Sequence, residues 1–356
     1  MRLRESGRSV VLVDAFGSGN PKSSSGAAWR VIRMGYGPAE IYTRWAMRSL
    51  TGWKKLAARV HRPELFQHTG VLWTARPGHP HTAGTLSAFR ELAVPHQVLT
   101  HAEIARRYPL MHFPDEVAGI FEPESGGLLA SQAVQAVTQE AARLGAQVVR
   151  ARIVAPSEEE IEHLTTEDGR RLTAETFIFA CGPWLPQLFP QAVGARIRVT
   201  RQPLFYFDCP SVEMPIWLDF SDPRGPYTIP PVAGKGFKLG LDRHGPAFDP
   251  DTGSRAVTAA ETAEARAFLT ERFPSLAEAP LTETEVCQYE STSNGDFLID
   301  RHPRMSNVWL VGGGSGHGFK HGPAVGEYVT AQLDGGIAEG RFGWRTKSQT
   351  AARAIY

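Results

Sequence analysis

Val308-Trp309-Leu310-Val311-Gly312-Gly313-Gly314-Ser315-Gly316-His317-Gly318-Phe319-Lys320-His321-Gly322-Pro323 is the stretch from which the fold is read. A short apolar strand breaks into five glycines within residues 312–318, and a helical pattern follows from Ala324 to Leu333. Strand, glycine-rich turn and helix together let backbone N–H groups approach an electron-rich ligand at a helix N-terminus. One or two glycines suffice for a tight turn, so five imply close backbone approach to something flat or anionic. His317 and Lys320 inside the run speak against a plain solvated loop.

The bulk numbers narrow the classes. At 356 residues the chain is long enough for two domains with sizeable cores. Hydrophobic content of 42% and charged content of 21% describe an ordinary globular protein. A formal net charge of +1 gives no electrostatic case for nucleic acid or an acidic membrane surface. No apolar stretch approaches the roughly 20 residues of a membrane span. The N-terminus, Met1 to Gly7, carries charges but no apolar signal-peptide core, so export is not expected. Cys181, Cys209 and Cys287 are odd in number, widely spaced and without metal-ligand spacing, which fits a reducing cytoplasm with no disulfide framework and no metal site.

Ser9-Val10-Val11-Leu12-Val13-Asp14 reads as a buried parallel-type strand ending in an acid. In a dinucleotide-binding βαβ unit, an acid at the end of the second strand binds the adenosine ribose. Such a unit begins about 20 residues earlier, with a first strand and a Gly-x-Gly-x-x-Gly turn. Here only Leu3-Arg4-Glu5-Ser6-Gly7 precedes it, and this reads as a last helical turn with its glycine C-cap. The expectation is a frame that starts inside its own nucleotide fold, with the glycine motif encoded upstream. If Met1 is the true start, cofactor binding at Asp14 is expected to be weak.

Further along, Ile41 to Ala58 has helical period with Trp45, Leu50 and Trp53 as core positions. Ser131 to Leu144 is a second amphipathic helix, with Ser131 as its expected N-cap. A strand over Gln147 to Ile153, a charged hairpin around residues 158–171 and a strand over Thr176 to Ala180 follow. Between about residues 195 and 290 short β-rich segments are spaced by Pro and Gly, which predicts a mostly antiparallel second domain. Helical signal returns at Ala259 to Arg272. The fold class expected is α/β (α+β overall): a nucleotide-binding Rossmann-like domain short of its first strand and glycine turn, plus an inserted, mostly antiparallel sheet. The expected division is 1–60, 120–190 and 288–356 for the nucleotide domain, and 61–119 and 191–287 for the other.

These pieces resemble the monomeric sarcosine oxidase family of flavoprotein amine oxidases, within the wider D-amino-acid-oxidase-like superfamily. The resemblance is carried by Asp14-Ala15-Phe16, Trp29 to Tyr36, His68 to Leu72, Phe121 to Gly127, Phe237 to Gly240, Val286 to Tyr289, Phe297 to Pro303 and Gly314 to Lys320. It implies FAD, and oxidation of the amine of a small, N-substituted amino acid. The reaction that the resemblance implies is hydride transfer to the flavin, reduction of dioxygen to hydrogen peroxide and hydrolysis of the imine. By the same resemblance Cys287 is the cysteine joined covalently to the flavin, and Lys238 the lysine that promotes reaction with dioxygen. A fixed cation stabilises the superoxide formed by the first electron transfer. Arg33 and Lys320 match the pair that grips the substrate carboxylate, fork and point charge together. Arg30 matches an arginine set against the flavin, and Gly314, Ser315, Gly316, His317 and Gly318 the flavin loop. A monomer is implied as well.

Two departures matter. Asp242 stands where the family commonly has a substrate-side histidine, and although Tyr289 matches the active-site tyrosine, Glu290 to Asn294 does not follow the sarcosine-oxidising members. Poor activity on sarcosine and better activity on a bulkier or more cationic amino acid are therefore expected. The rivals are a flavin dehydrogenase using another electron acceptor, which Lys238 disfavours, and a non-catalytic remnant with impaired FAD binding.

Overall fold

Alternation along Ile197–Phe207 decides how the largest sheet is dressed. The computed structural model describes residues 1–157, 161–232 and 234–349. In it Ile197–Phe207 pairs antiparallel with Leu281–Thr292 on one side and with Phe237–Leu241 on the other. The sheet continues through Pro226–Ile229, Ile216–Asp219, Val71–Ala75, Ala118–Glu122 and Gln97–Leu99, eight strands among the described residues. Ile216–Asp219 with Val71–Ala75 is its one parallel pairing among the described residues, so the mostly antiparallel character expected from the sequence is met.

Because side chains alternate, the two faces differ. Phe205, Phe207, Phe237, Leu239 and Leu241 form one buried cluster with Ala265, Phe268 and Leu269 of the Ala259–Arg272 helix. That helix starts with a capping box, Thr258 and Glu261 each closing the other's backbone donor. The opposite face carries Leu204, Tyr206 and Cys287, and Lys238 lies beside Tyr206 in the register.

Nucleotide-type pieces surround this sheet. Val11–Asp14 runs parallel to Gln147–Arg150, and Phe177–Phe179 parallel to Val308–Gly312, which also pairs with Leu298–Arg301. Trp29–Ile32 and Phe66–Gln67 both pair with Gly126–Leu129 in a small antiparallel sheet. The short Arg2–Glu5 helix ends as expected: Gly7, at φ +86°, donates to Arg4 O and Arg8 N–H to Leu3 O, a Schellman closure that favours glycine. The Glu40–Arg59 helix buries Trp45, Leu50 and Trp53.

Three expectations need correction. The Val11–Asp14 strand is parallel but not buried. Val11, Leu12 and Val148 stay 46%, 39% and 47% exposed, because the pair has two strands and one edge of Val11–Asp14 is unpaired among the described residues. Ser131 does not cap its helix. Helix Ala130–Arg143 begins straight from the Gly126–Leu129 strand, and Ala28 O accepts the Ala130 N–H, so that donor is met by backbone. The charged hairpin is shorter than expected, pairing His163–Thr165 with Arg171–Thr173, while residues 158–160 lie outside the described residues. Strands Ala118–Glu122 and Leu281–Thr292 also run across the boundaries drawn at 119/120 and 287/288.

Candidate active site

Strand Trp29–Ile32 delivers Arg30 to the face of the large sheet. The Arg30 guanidinium donates to Trp29 O at 2.8 Å, to Ser24 O, and through Nη2 to Cys287 Sγ at 3.0 Å. Lys238 Nζ donates to the same Trp29 carbonyl at 3.2 Å. It lies over the rings of Tyr206 and Tyr227, 5.8 and 5.7 Å from their centroids. One carbonyl thus holds two cations beside one thiol. Burial, helped by the Arg30 charge, pulls the Lys238 ammonium down to about 7.

A second group gathers at Tyr36, just past the same strand. The Arg33 guanidinium is sandwiched between the rings of Tyr36 and Trp73, with Cζ 4.4 Å from each centroid, and donates to Gly35 O. Lys320 Nζ donates to the Tyr36 hydroxyl and to His317 O, both at 3.1 Å. The Tyr36 hydroxyl also meets His321 Nε2 at 2.8 Å. Burial, with the Lys320, His317 and Arg33 charges behind it, holds His321 well below the usual imidazole range. Trp53 Nε1 donates to Lys320 O at 2.9 Å, so the long helix positions this lysine.

The backbone beneath Arg33 is fixed by Glu122. Its carboxylate accepts from Met34 N at 2.7 Å, Gly35 N at 2.9 Å, Trp73 Nε1 at 2.6 Å and the Ser125 hydroxyl, while the side chain is 1% exposed. Four donors on one buried carboxylate hold the turn as a unit.

The glycine run closes the site from the other side. Gly313, Ser315 and Gly316 have φ of +68°, +48° and +79°. A Cβ on Gly316 would sit 2.8 Å from the Tyr289 ring, and one on Gly318 would sit 3.0 Å from Gly314 Cα. Ser315 Oγ donates to Gly313 O and accepts from Thr292 N, so the left-handed turn is tied down at both ends. His317 Nε2 contacts Gly295 O at 3.0 Å, and its ring stacks on Phe297. Burial raises the Tyr289 hydroxyl far above its usual range, and the Asp242 charge and a hydrogen bond to Asp242 add to the rise.

Arg30, Cys287 and Lys238 are therefore together. Arg33 and Lys320 meet at Tyr36, and Tyr289 joins Asp242 to the Gly316 turn. Asp14 stands apart: its Oδ1 accepts from Phe16 N at 2.8 Å and Gly17 N at 2.7 Å, and its charge reaches the Cys181 thiol. Tyr36, Glu122 and His321 were not singled out from the sequence, and Trp53 was read only as a core position. Tyr36 and Glu122 lie inside quoted motifs, and their roles depend on which groups fold against them.

A model of the family described as DAO, FAD dependent oxidoreductase, matches residues 1–332. The chain belongs to that family. Monomeric sarcosine oxidase of Bacillus sp. (strain B-0618) is 33% identical over 347 residues, covering 93% of this chain and 87% of that protein. N-methyl-L-tryptophan oxidase of Yersinia pestis (strain Pestoides F) is 25% identical over 344 residues, covering 91% and 88%. In fold the chain is similar to L-proline dehydrogenase from P. horikoshii, with a TM-score of 0.81 at 19% identity, 96% of this chain and 92% of that one being covered. The open form of NikD, an unusual amino acid oxidase, gives 0.79 at 20% identity, with the same coverage. The chain is an FAD-dependent oxidoreductase, similar over most of its length to enzymes acting on CH–NH bonds.

The residues present fit the family's cofactor. Trp29 Nε1, Glu290 Oε2 and Asp242 Oδ1 are buried without a partner among the described residues, and the Gly314–Gly318 turn leaves a cradle that a Cβ would fill. A thiol, a guanidinium, an ammonium and glycine N–H groups suit an electron-poor ring that becomes anionic on reduction.

Glu122 provides a direct test of the site's framework. Glu122→Gln puts an amide NH2 among donors, and hydrogen bonds to a charged group contribute about 1.5–3 kcal/mol. Urea unfolding of this variant is expected to show a loss of about 2 kcal/mol. Unchanged stability would count against the framework role.

Proposed function

We propose that the chain oxidises the amine of a small, N-substituted amino acid, acting as a cytoplasmic monomer. FAD, when bound, would supply the hydride acceptor, with dioxygen taking the electrons to give hydrogen peroxide and the imine hydrolysing. The observation that carries this reading is the pairing of two cation groups: Arg30 and Lys238 on the Trp29 carbonyl beside Cys287, and Arg33 and Lys320 around Tyr36. The second pair grips the substrate carboxylate, the planar guanidinium as a fork and the ammonium as a point charge. The first sets a thiol and two positive charges against the cofactor's reactive edge.

Asp242 is read as the substrate-selecting group. It lies in a cleft of about 160 Å³ that also touches His79, Asp219, Phe220, Asp222 and Tyr227. Arg272 lies 3.7 Å from Asp219 and 3.3 Å from Asp222, which Arg224 also binds. Asp242 Oδ1 has no such partner among the described residues and suits a cationic or donor-bearing substituent on the substrate. Free thiols at all three cysteines fit a reducing compartment, and no helix is long and apolar enough to cross a membrane among the described residues.

Cys287 is read as the covalent attachment point. Acid precipitation of the flavin-loaded protein is expected to leave flavin absorbance in the pellet, whereas Cys287→Ser releases it to the supernatant. Flavin extracted freely from the unsubstituted protein would exclude the linkage.

Lys238 should act in the oxidative half-reaction alone. Lys238→Met removes a preorganised charge worth about 3 kcal/mol, so stopped-flow reoxidation by dioxygen should slow by roughly a hundredfold while anaerobic reduction changes little. Because its ammonium titrates near 7, reoxidation should fall as pH rises through that region and lose this dependence in Lys238→Met. Equal loss in both half-reactions would make Lys238 structural.

The carboxylate clamp and the Asp242 reading share one assay. Lys320→Ala should weaken a carboxylate inhibitor by a factor of roughly tens to thousands, the loss of one partner of a buried charge pair being about 2–5 kcal/mol. Peroxide release from a panel of N-methyl, cyclic and primary amino acids should favour bulkier or cationic ones over sarcosine. Equal rates on amines lacking a carboxylate would refute the clamp, and sarcosine at the top of the panel would refute the role of Asp242.

A further inference from the structure

Glu290 stands three residues beyond Cys287 on the Leu281–Thr292 strand, about 10 Å along it. Residues three apart on a strand face opposite ways, so while Cys287 looks onto the sheet face, Glu290 looks toward the nucleotide-type strands. Its carboxyl lies among three glycines. A Cβ on Gly312 would come within 3.3 Å of Oε2, one on Gly314 within 3.3 Å of Oε1, and one on Gly182 within 3.9 Å of Oε2. Oε1 accepts the Gly314 N–H at 3.2 Å, and Gly313 adds a backbone bond. Oε2 is buried and has no partner among the described residues.

Among the described residues no cation offsets a negative charge here. Asp14, on the nucleotide side, and Glu290 both act on the Cys181 thiol, which burial and these two charges push up to about 12, so it stays neutral. Tyr289, the preceding residue, is also held neutral. Across the pairing, Arg198 is exposed and Arg201 is ion-paired with Glu261. His317, in the glycine turn, is turned to Gly295 O. Burial accordingly raises the Glu290 carboxyl to about 7, against the opposing pull of the Gly314 and Gly313 N–H groups. Through Cys181, Glu290 bridges the ribose end at Asp14 and the ring end at Cys287. The piece of FAD that spans those ends is its ribityl and pyrophosphate chain, which is anionic.

We propose that Glu290 meets this connecting chain as a neutral carboxylic acid, its Oε2–H donating to the chain's oxygens, so that FAD binding is coupled to protonation of Glu290. The inference rests on the FAD reading above. Protonation at Oε2 turns an unpartnered acceptor into a donor aimed at a phosphate-bearing ligand, whereas an ionised Glu290 repels it. Because the carboxyl titrates near 7 and an added anion raises it further, binding is strong below that pH and weakens above it.

The test titrates FAD into flavin-free Cys287→Ser protein from pH 6 to pH 9, following flavin fluorescence. The dissociation constant should climb toward about tenfold per pH unit on the alkaline side. Adding Glu290→Gln should leave it nearly flat, close to the value at pH 6. Calorimetry at pH 8 in two buffers of different ionisation enthalpy should find close to one proton taken up per FAD, and Lys238→Met should leave that uptake in place. A pH-independent dissociation constant, or no proton uptake, overturns the role of Glu290 even if the glutamine variant fails to fold. Absence of FAD binding at every pH would overturn the FAD reading instead.

Discussion

The antiparallel ladder between Ile197–Phe207 and Leu281–Thr292 is the constraint on which the site depends. Its register pairs Gln202 with Cys287 and Thr200 with Tyr289, while Phe237–Leu241 on the other flank pairs Lys238 with Tyr206. Directly paired residues share a face, so one register puts thiol, phenol and ammonium on the same side. A slip of one residue would send Lys238 into the aromatic layer under the Ala259–Arg272 helix and bring Phe237 to the site. The apolar face that buries against that helix is thus what holds the polar face in place.

The polar face is costly in another sense. Arg30, Arg33, Lys238 and Lys320 are drawn together with few acids beside them. Carbonyls and aromatic rings do the compensating: Trp29 O for Arg30 and Lys238, the Tyr36 and Trp73 rings for Arg33, and the Tyr36 hydroxyl with His317 O for Lys320. Such groups stabilise a cation without neutralising it, which leaves net positive potential for an anionic ligand. Glu122 is the exception in charge, and its donors are the backbone N–H groups of Met34 and Gly35, the Trp73 indole and the Ser125 hydroxyl.

Much of this was legible in the chain, unevenly and for physical reasons. The Val308–Gly312 strand and the glycine turn were readable because glycine at positive φ is a local demand, met at Gly313 and Gly316. The Gly7 C-cap and the Glu40–Arg59 helix were readable for the same reason: cap chemistry and helical period are written within a few residues. Ser131 misled because a serine before an apolar run is an N-cap only if the backbone has not already found a partner, and Ala28 O supplies one from a different strand. Val11 and Leu12 misled likewise, since an apolar run shows the capacity for burial but not whether anything covers it.

The sequence by itself determined the alternating pattern, the glycine turn, and the identities of the cysteine, lysines and arginines that the family resemblance singles out. Only the tertiary structure decided that Arg30 and Lys238 share a carbonyl, that Arg33 and Lys320 meet at Tyr36, and that Glu122 holds the turn beneath them. It alone placed an oxygen of Glu290, without a partner among the described residues, among three glycines drawn from the ends of two strands. The reason is range. Conformational preferences act between neighbours along the chain, whereas desolvation, hydrogen bonding and charge act between whatever groups the fold brings within a few ångströms. Trp29 and Lys238 are 209 residues apart, and nothing local to either announces the other.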